Sequence, residues 1–463
     1  MSSKSDGMTR REFLSRGAMA AAGVAAASSL AIPRQKAMGS PIGANDTIVM
    51  AVIGIHGRGQ SHIHNFAGMD KVRIKTLCDV DEKLFPDRVK ATEDLQNSRP
   101  GTAWDLRKVY EDPDIDAVSI ATPNHWHALA TIWACQAGKH VYCEKPASHN
   151  IYEGRKMVEA ARKYNRIVQV GFQNRSRQNT NAAIKFLRDG GIGEVYMARG
   201  LCFKPRGDIG NPPDAPVPEG LHYDQWLGPA QKRPFNPNYV HYNWHWHWAF
   251  GNGDTGNQGP HQFDIARWGL GKDEAPIKVS SMGGYYVYDS TQETPNTQTS
   301  IYTYADGKVL EFATRGLFTN SESDINGGPD RTIGDLFFGS EGWMQIDDGG
   351  NWKTFHGRKN EPGPTSGDTS DSEYDAMNLI GTGGEGHFGN FISALRSGKR
   401  EDLTCDVEVG HRSTILPHLG NVSYLVGREL MFDGLAERFV DDDEANELLT
   451  RDYREPFVVR DQV

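Results

Sequence analysis

The sequence predicts an α/β protein: an N-terminal Rossmann-type, doubly wound parallel sheet, followed by an α+β domain with a large, mainly antiparallel open sheet. Three observations carry this. Short β-branched-rich runs alternate with helical stretches from Thr47 to about Val170. The first run ends in a glycine-rich turn, Gly54-Ile55-His56-Gly57-Arg58-Gly59. Beyond Gly171 the texture changes to longer runs separated by loops rich in Gly, Pro and Asn.

In chain order, strands are expected at 48–53, 72–78, 117–121, 140–143 and 167–170, with helices at 128–137 and 152–164 between them. The second part predicts strands at 195–203, 277–282, 299–304, 309–314 and 335–338, and helices at 387–395 and 410–430. Segment 205–218 reads as a loop, and 357–384 as a long polar loop with the character of a lid. These assignments divide the chain into 1–40, 45–170 (the doubly wound Rossmann-type domain) and 171–463 (the α+β domain).

The first forty residues read as an address. Thr9-Arg10-Arg11-Glu12-Phe13-Leu14 precedes an alanine-rich apolar run over 17–32, the pattern of a twin-arginine (Tat) export signal. A membrane anchor is the competing reading. It is weaker, because the run is short and mostly alanine. Cleavage is expected near Ala31 or Ala37, leaving no stable membrane insertion and a periplasmic or extracytoplasmic protein. Passage through the Tat machinery in the folded state suits a chain loaded with cofactor before export.

Composition narrows the partners. Sixty acidic against fifty basic residues give a net charge of −10, which argues against nucleic acid. The five cysteines, at 78, 135, 143, 202 and 405, contain no CxxC pair. No metal site is expected from them, and no disulfide framework.

Three motifs carry chemistry. The first is the Gly54–Gly59 turn, with His56 where G-x-G-x-x-G has its middle glycine and Gly57 beside it. Asp79 follows Gly59 by twenty residues and closes the second strand, where an acceptor for ribose hydroxyls belongs. Its charge would repel a 2′-phosphate, favouring NAD, while Arg58 keeps NADP open. The second motif is Ala121-Thr122-Pro123-Asn124-His125-Trp126-His127, followed by Ala137-Gly138-Lys139-His140-Val141 and Glu144-Lys145-Pro146. The third is the segment Gly251-Asn252-Gly253-Asp254-Thr255-Gly256-Asn257-Gln258-Gly259-Pro260-His261-Gln262-Phe263-Asp264.

Together these motifs resemble the glucose–fructose oxidoreductase/inositol dehydrogenase (Gfo/Idh/MocA) family over nearly all of the chain after the signal. The resemblance implies that Lys145 lies beside the nicotinamide and contacts the reacting hydroxyl, with a cis bond at Pro146 aiming it. Thr122, Pro123, Asn124, His127 and Glu144 are then expected on the coenzyme side. His261 matches the family's catalytic histidine. Asn257 stands where many sugar dehydrogenases of the family carry aspartate, so that partner for the imidazole is missing. Asp264, one turn after His261, is expected to orient it, to touch substrate or to cap the helix. Arg175, after the last Rossmann strand, is a further candidate substrate contact.

A stripe of Tyr239, His241, Tyr242, Trp244, His245, Trp246, His247 and Trp248 precedes the third motif. Indole faces stack on sugars and imidazoles bond hydroxyls, so Trp244 and His245 are expected in a carbohydrate pocket. Core packing of the tryptophans is an equal alternative. The leading functional expectation is an exported NAD(P)-dependent oxidoreductase that moves hydride between a secondary alcohol of a sugar or cyclitol and a tightly held coenzyme. The alternative is an NAD-dependent glycoside hydrolase or lyase working by transient C3 oxidation and elimination. A binding protein without chemistry is a third reading, opposed by the intact Lys145 and His261. A homodimer or homotetramer is the default assembly implied by the family.

Overall fold

Along β1 (Ile48–Ile53), Ile48, Met50 and Val52 enter one core cluster while Ala51 and Ile53 enter another. A strand buried on both faces belongs in the middle of a parallel sheet covered by helices. The computed structural model describes residues 46–318, 325, 331–367 and 386–463. The expected export signal lies outside the described residues, as does 368–384 of the expected lid.

The first sheet adds β2 (Val72–Cys78), β3 (Gly101–Ala103), β4 (Ala117–Ile120), β5 (His140–Cys143) and β6 (Val168–Val170). All pairs are parallel and the order is β3-β2-β1-β4-β5-β6. Strand order reverses between β1 and β4, which opens a crevice at their carboxyl ends. Only β3 departs from the expected set, three residues long and largely exposed. The helix Ile151–Lys163 behind β5 is fixed at its start by Asn150, whose side chain accepts from the Glu153 amide.

The second sheet contains β7 (Val195–Phe203), β8 (Lys278–Gly284), β9 (Thr297–Thr303), β10 (Val309–Arg315), β11 (Thr332–Gly339), β12 (Gly342–Asp347), β13 (Trp352–His356), β14 (Glu361–Thr365), β15 (Leu430–Asp433) and β16 (Arg438–Phe439). Their order is β14-β13-β12-β11-β7-β10-β9-β8-β15-β16, and every pair is antiparallel except β7–β10. Helices Gly259–Gly269 and Val407–Val426 cover one face, burying Phe263, Ile265, Leu416 and Leu419 against Tyr302, Phe312 and Phe337. Complete burial of each such side chain contributes roughly 1.5–3 kcal/mol.

Two expectations are corrected. The start of the supposed lid forms β14, whose prolines 362 and 364 suit the sheet edge, where a missing N–H breaks no ladder. The chain also does not leave the first domain for good at residue 170. Helix Gly386–Ser397 inserts Phe388 and Phe391 beside Phe66 and Tyr142, and Phe457 and Val459 join Trp126 on the opposite face. Both faces of the Rossmann sheet are therefore completed by residues from the end of the sequence.

Candidate active site

The crevice is built first by close backbone approach. Gly54 has φ +81°, and a Cβ there would lie 2.7 Å from the Ala121 carbonyl carbon. A Cβ on Gly59 would lie 1.9 Å from the Gly54 oxygen. Both positions therefore require glycine. Gly57 faces no such constraint. His56 precedes helix Gly57–Ala67 without capping it by its side chain, and the first turn carries no acidic residue. The leading amides are thus left for an anion.

Asp79 sits at the end of β2 and accepts from the Ile55 amide at 2.8 Å and the Asp81 amide at 3.0 Å. Burial raises its pKa against those hydrogen bonds. Arg58 turns away to Glu144 at 2.8 Å, so Asp79 and Asp81 stand together without that cation. This charge pattern opposes a 2′-phosphate.

Gly54, His56, Gly57, Arg58, Asp79, Thr122, Pro123, Asn124, His127, Glu144 and Lys145 all line one cleft of about 390 Å³. The Thr122 hydroxyl is buried there without a partner. An unsatisfied hydroxyl, an uncapped helix start and a backbone cradle closed to any Cβ fit a dinucleotide, and NAD rather than its 2′-phosphate. Asn124 begins helix Asn124–Gln136 and donates to Asn252 at 3.2 Å, joining the two domains. His127 lines the cleft and also braces it. Its ring nitrogens meet the Pro146 carbonyl at 2.6 Å and the Thr122 carbonyl at 2.8 Å, so it clamps the two motif turns together.

Lys145 follows β5, and the Lys145–Pro146 bond is cis, as expected. Its ammonium donates to the Asn257 carbonyl at 2.7 Å, with Asn257 Oδ1 at 3.5 Å. Burial lowers its pKa, and the nearby Glu144 carboxylate opposes that shift. Glu144 Oε1 receives Arg58 at 2.8 Å, His62 at 3.0 Å and Gln173 at 2.9 Å. Burial alone would raise the Glu144 pKa, but Arg58 and His62 hold it well below the usual carboxylate range. Glu144 is therefore a fixed anion that anchors the wall of the cleft beside the amine.

The second domain supplies the opposite wall, including Lys204, Arg206, Trp244, His245, Asn257 and Gln258. Trp244 and His245 thus line the cleft. His245 Nε2 is buried without a partner, and burial followed by the charge of Arg206 lowers the imidazole pKa to about 3. Trp246 is core instead, and His247 points to Glu293 at 3.7 Å.

His261 stands on helix Gly259–Gly269, close enough to Lys145 to feel its charge, but not among the residues lining the cleft. Burial, then Lys145, depress its pKa to about 3. Nδ1 is enclosed without a partner, and the ring meets Phe172 edge-on at 6.2 Å. Arg175 and Asp264 correct an expectation. They form a buried ion pair with contacts of 2.8–3.0 Å, and Asp264 also receives the Ser413 hydroxyl at 2.5 Å. Arg175 further covers the Trp268 ring. Charges matched this closely in the interior brace the helix carrying His261 and are not free for substrate.

The sequence reading missed Arg206 and Asp254. Arg206 Nε and Nη2 donate to the Asp254 carboxylate at 2.9 and 2.5 Å, beside Lys145. Asp254 lay within the quoted glycine-rich segment, but its partner lies 48 positions earlier in a loop, so no local spacing joins them. Among the described residues, no group of three or more His, Cys, Asp or Glu could hold a metal ion.

Comparison with known proteins agrees with this geometry. Residues 48–172 match the Gfo/Idh/MocA oxidoreductase family model described as an NAD-binding Rossmann fold, and residues 204–332 and 382–459 match that family's C-terminal alpha/beta domain. A levoglucosan dehydrogenase of Pseudarthrobacter phenanthrenivorans is 30% identical over 178 residues, 38% of each chain. A glycosyl hydrolase family 109 protein of Shewanella pealeana is 30% identical over 168 residues, 33% of this chain and 37% of that one. The chain thus spans less than half the length of these curated relatives. The solved aldose–aldose oxidoreductase of Caulobacter crescentus, complexed with glycerol, superposes with a TM-score of 0.60 at 18% identity, covering 83% of this chain and 100% of that one. That likeness establishes the fold. With both of its domain models matched in sequence, the chain belongs to the Gfo/Idh/MocA oxidoreductase family.

Proposed function

We propose that this protein is an exported NAD-dependent oxidoreductase acting on a secondary alcohol of a sugar or cyclitol. The observation that carries the reading is the Lys145 ammonium, drawn across the crevice to the Asn257 carbonyl at 2.7 Å. It places a buried amine from the Rossmann domain against the second domain, beside a cleft suited to a dinucleotide. NAD, held by the Gly54–Gly59 turn, Asp79 and Thr122, would supply the hydride acceptor.

The chain's own residues handle the hydroxyl. Lys145 acts as the neutral amine: its ammonium first releases a proton to solvent, favoured by the burial that lowers its pKa, and the amine then binds the alcohol oxygen and takes its proton. Asn257 holds the amine in place, and Glu144 keeps compensating charge beside it. His261, held neutral by burial and by the charge of Lys145, adds no second positive charge beside the amine. Trp244 provides an aromatic face for the apolar side of a sugar ring. A cleft lined by both domains supports a coenzyme retained through turnover and restored by a second sugar.

Export through the twin-arginine route to the periplasm rests on the Arg10-Arg11 signal. Among the described residues, no helix is long and apolar enough to cross a membrane. A homodimer or homotetramer is supported by the solvent face of the second sheet, where Met282, Ile301 and Met431 are exposed. The glycosidase alternative draws support from the family 109 relatives. Incubation with sugars and glycosides, with product analysis, tests the reading. A keto-sugar or lactone matched by reduced nicotinamide or a reduced co-substrate is expected. Release of an aglycone with no net nicotinamide reduction would overturn it in favour of the glycosidase.

A further inference from the structure

β7 formally ends at Phe203, yet the chain beyond it stays extended. The Lys204 amide donates to the Arg315 carbonyl at 3.0 Å, and the Arg206 amide to the Gly316 carbonyl at 2.7 Å. Side chains two apart on an extended segment share a face. Both Lys204 and Arg206 accordingly line the cleft on the side of Trp244 and His245.

The cations of this wall are matched very differently. Arg206 is neutralised by Asp254 and rests over the Trp246 ring. Lys145 is held by the Asn257 carbonyl. Among the described residues, the Lys204 ammonium has no hydrogen-bonding or ion-pair partner. One unmatched cation thus faces the cleft of a chain whose net charge is −10. A neutral sugar leaves that charge unanswered, whereas a carboxylate answers it with a charge-assisted hydrogen bond. A phosphate dianion would bring one charge too many, because Asp254 already occupies Arg206.

We propose that the substrate is a sugar bearing a single carboxylate, a hexuronate in chemical class, with Lys204 binding the carboxylate while Lys145 holds the reacting hydroxyl. The proposal rests on the oxidoreductase reading for the reaction, but its recognition step can be measured without turnover.

The test is calorimetric titration of the NAD-loaded full-length protein with D-glucuronate, D-galacturonate, D-glucose, D-galactose and glucose 6-phosphate. Specificity constants for the sugars that react come from the nicotinamide absorbance. At least one hexuronate is expected to bind more tightly than its neutral parent. The substitution Lys204→Met should lower the hexuronate-to-parent ratio by about 10- to 100-fold, the scale of one hydrogen bond to a charged group. Lys204→Arg should restore most of that ratio. The proposal is overturned if the neutral sugars or glucose 6-phosphate bind best, if no hexuronate binds, or if Lys204→Met weakens both sugar types equally. It is also overturned if that variant loses NADH affinity with the ratio unchanged. Preferential hexuronate binding without nicotinamide reduction would sustain this proposal while removing the oxidoreductase reading.

Discussion

Lys145 illustrates what a single residue can and cannot reveal in advance. Its place after a strand and before Pro146 marked it in the sequence, and its contact with Asn257 across the crevice follows from that position. Replacing it with methionine keeps the stem and removes the amine. Turnover is expected to fall by about 10²- to 10⁴-fold, the range for losing an acid–base group, with little change in melting temperature. Because burial lowers its pKa, the wild-type rate should rise with pH through an inflection below the usual lysine range. A rate independent of pH throughout that region would remove Lys145 from proton transfer. Arg206 and Asp254 had no comparable signal. Their pairing depends on a loop meeting a helix 48 positions later, which only the tertiary fold brings about.

At the scale of elements, periodicity served best where burial is simplest. β1 and β5 have the expected bounds because nearly every residue of each is buried, and β2 because Val72, Ile74, Leu77 and Cys78 are, while β14 was hidden by prolines tolerated only at an edge. The β1 turn also yields a sharp expectation. A methyl group on Gly59 meets the Gly54 carbonyl oxygen at 1.9 Å, so helix and strand must separate. Gly59→Ala should cost about 1–3 kcal/mol in urea unfolding and weaken NADH binding with it. Gly57→Ala, where the added carbon meets nothing within 4 Å, should leave stability nearly unchanged. Equal losses in the two variants would contradict this packing account.

For the whole molecule, the first motif turn, the cleft and the second sheet were legible as parts, but the return of the chain to the Rossmann core was not. Phe388 and Phe391 lie in an ordinary amphipathic helix, and nothing local says which of two cores it covers. The same burial sets the acid response. His125 and His418 have pKa values lowered to about 3 and His387 to about 4, in each case chiefly by desolvation. Unfolding releases these rings to titrate near 6.5. Below that pH the unfolded chain takes up protons that the folded chain refuses, so stability is full above about pH 6.5 and falls as the pH drops toward 4. Melting temperatures recorded across this range should decline steadily. A constant melting temperature from pH 7 to 4 would show that these imidazoles are not buried as neutral groups.

The most direct measurement is equilibrium titration of nucleotide-stripped protein with NADH, followed by fluorescence and run in parallel on Gly54→Val. One saturable site per chain is expected in the wild type, with binding abolished when a side chain fills the space against Ala121. No NADH binding by the wild-type protein, together with no nicotinamide nucleotide recovered when the native protein is denatured, would contradict the account.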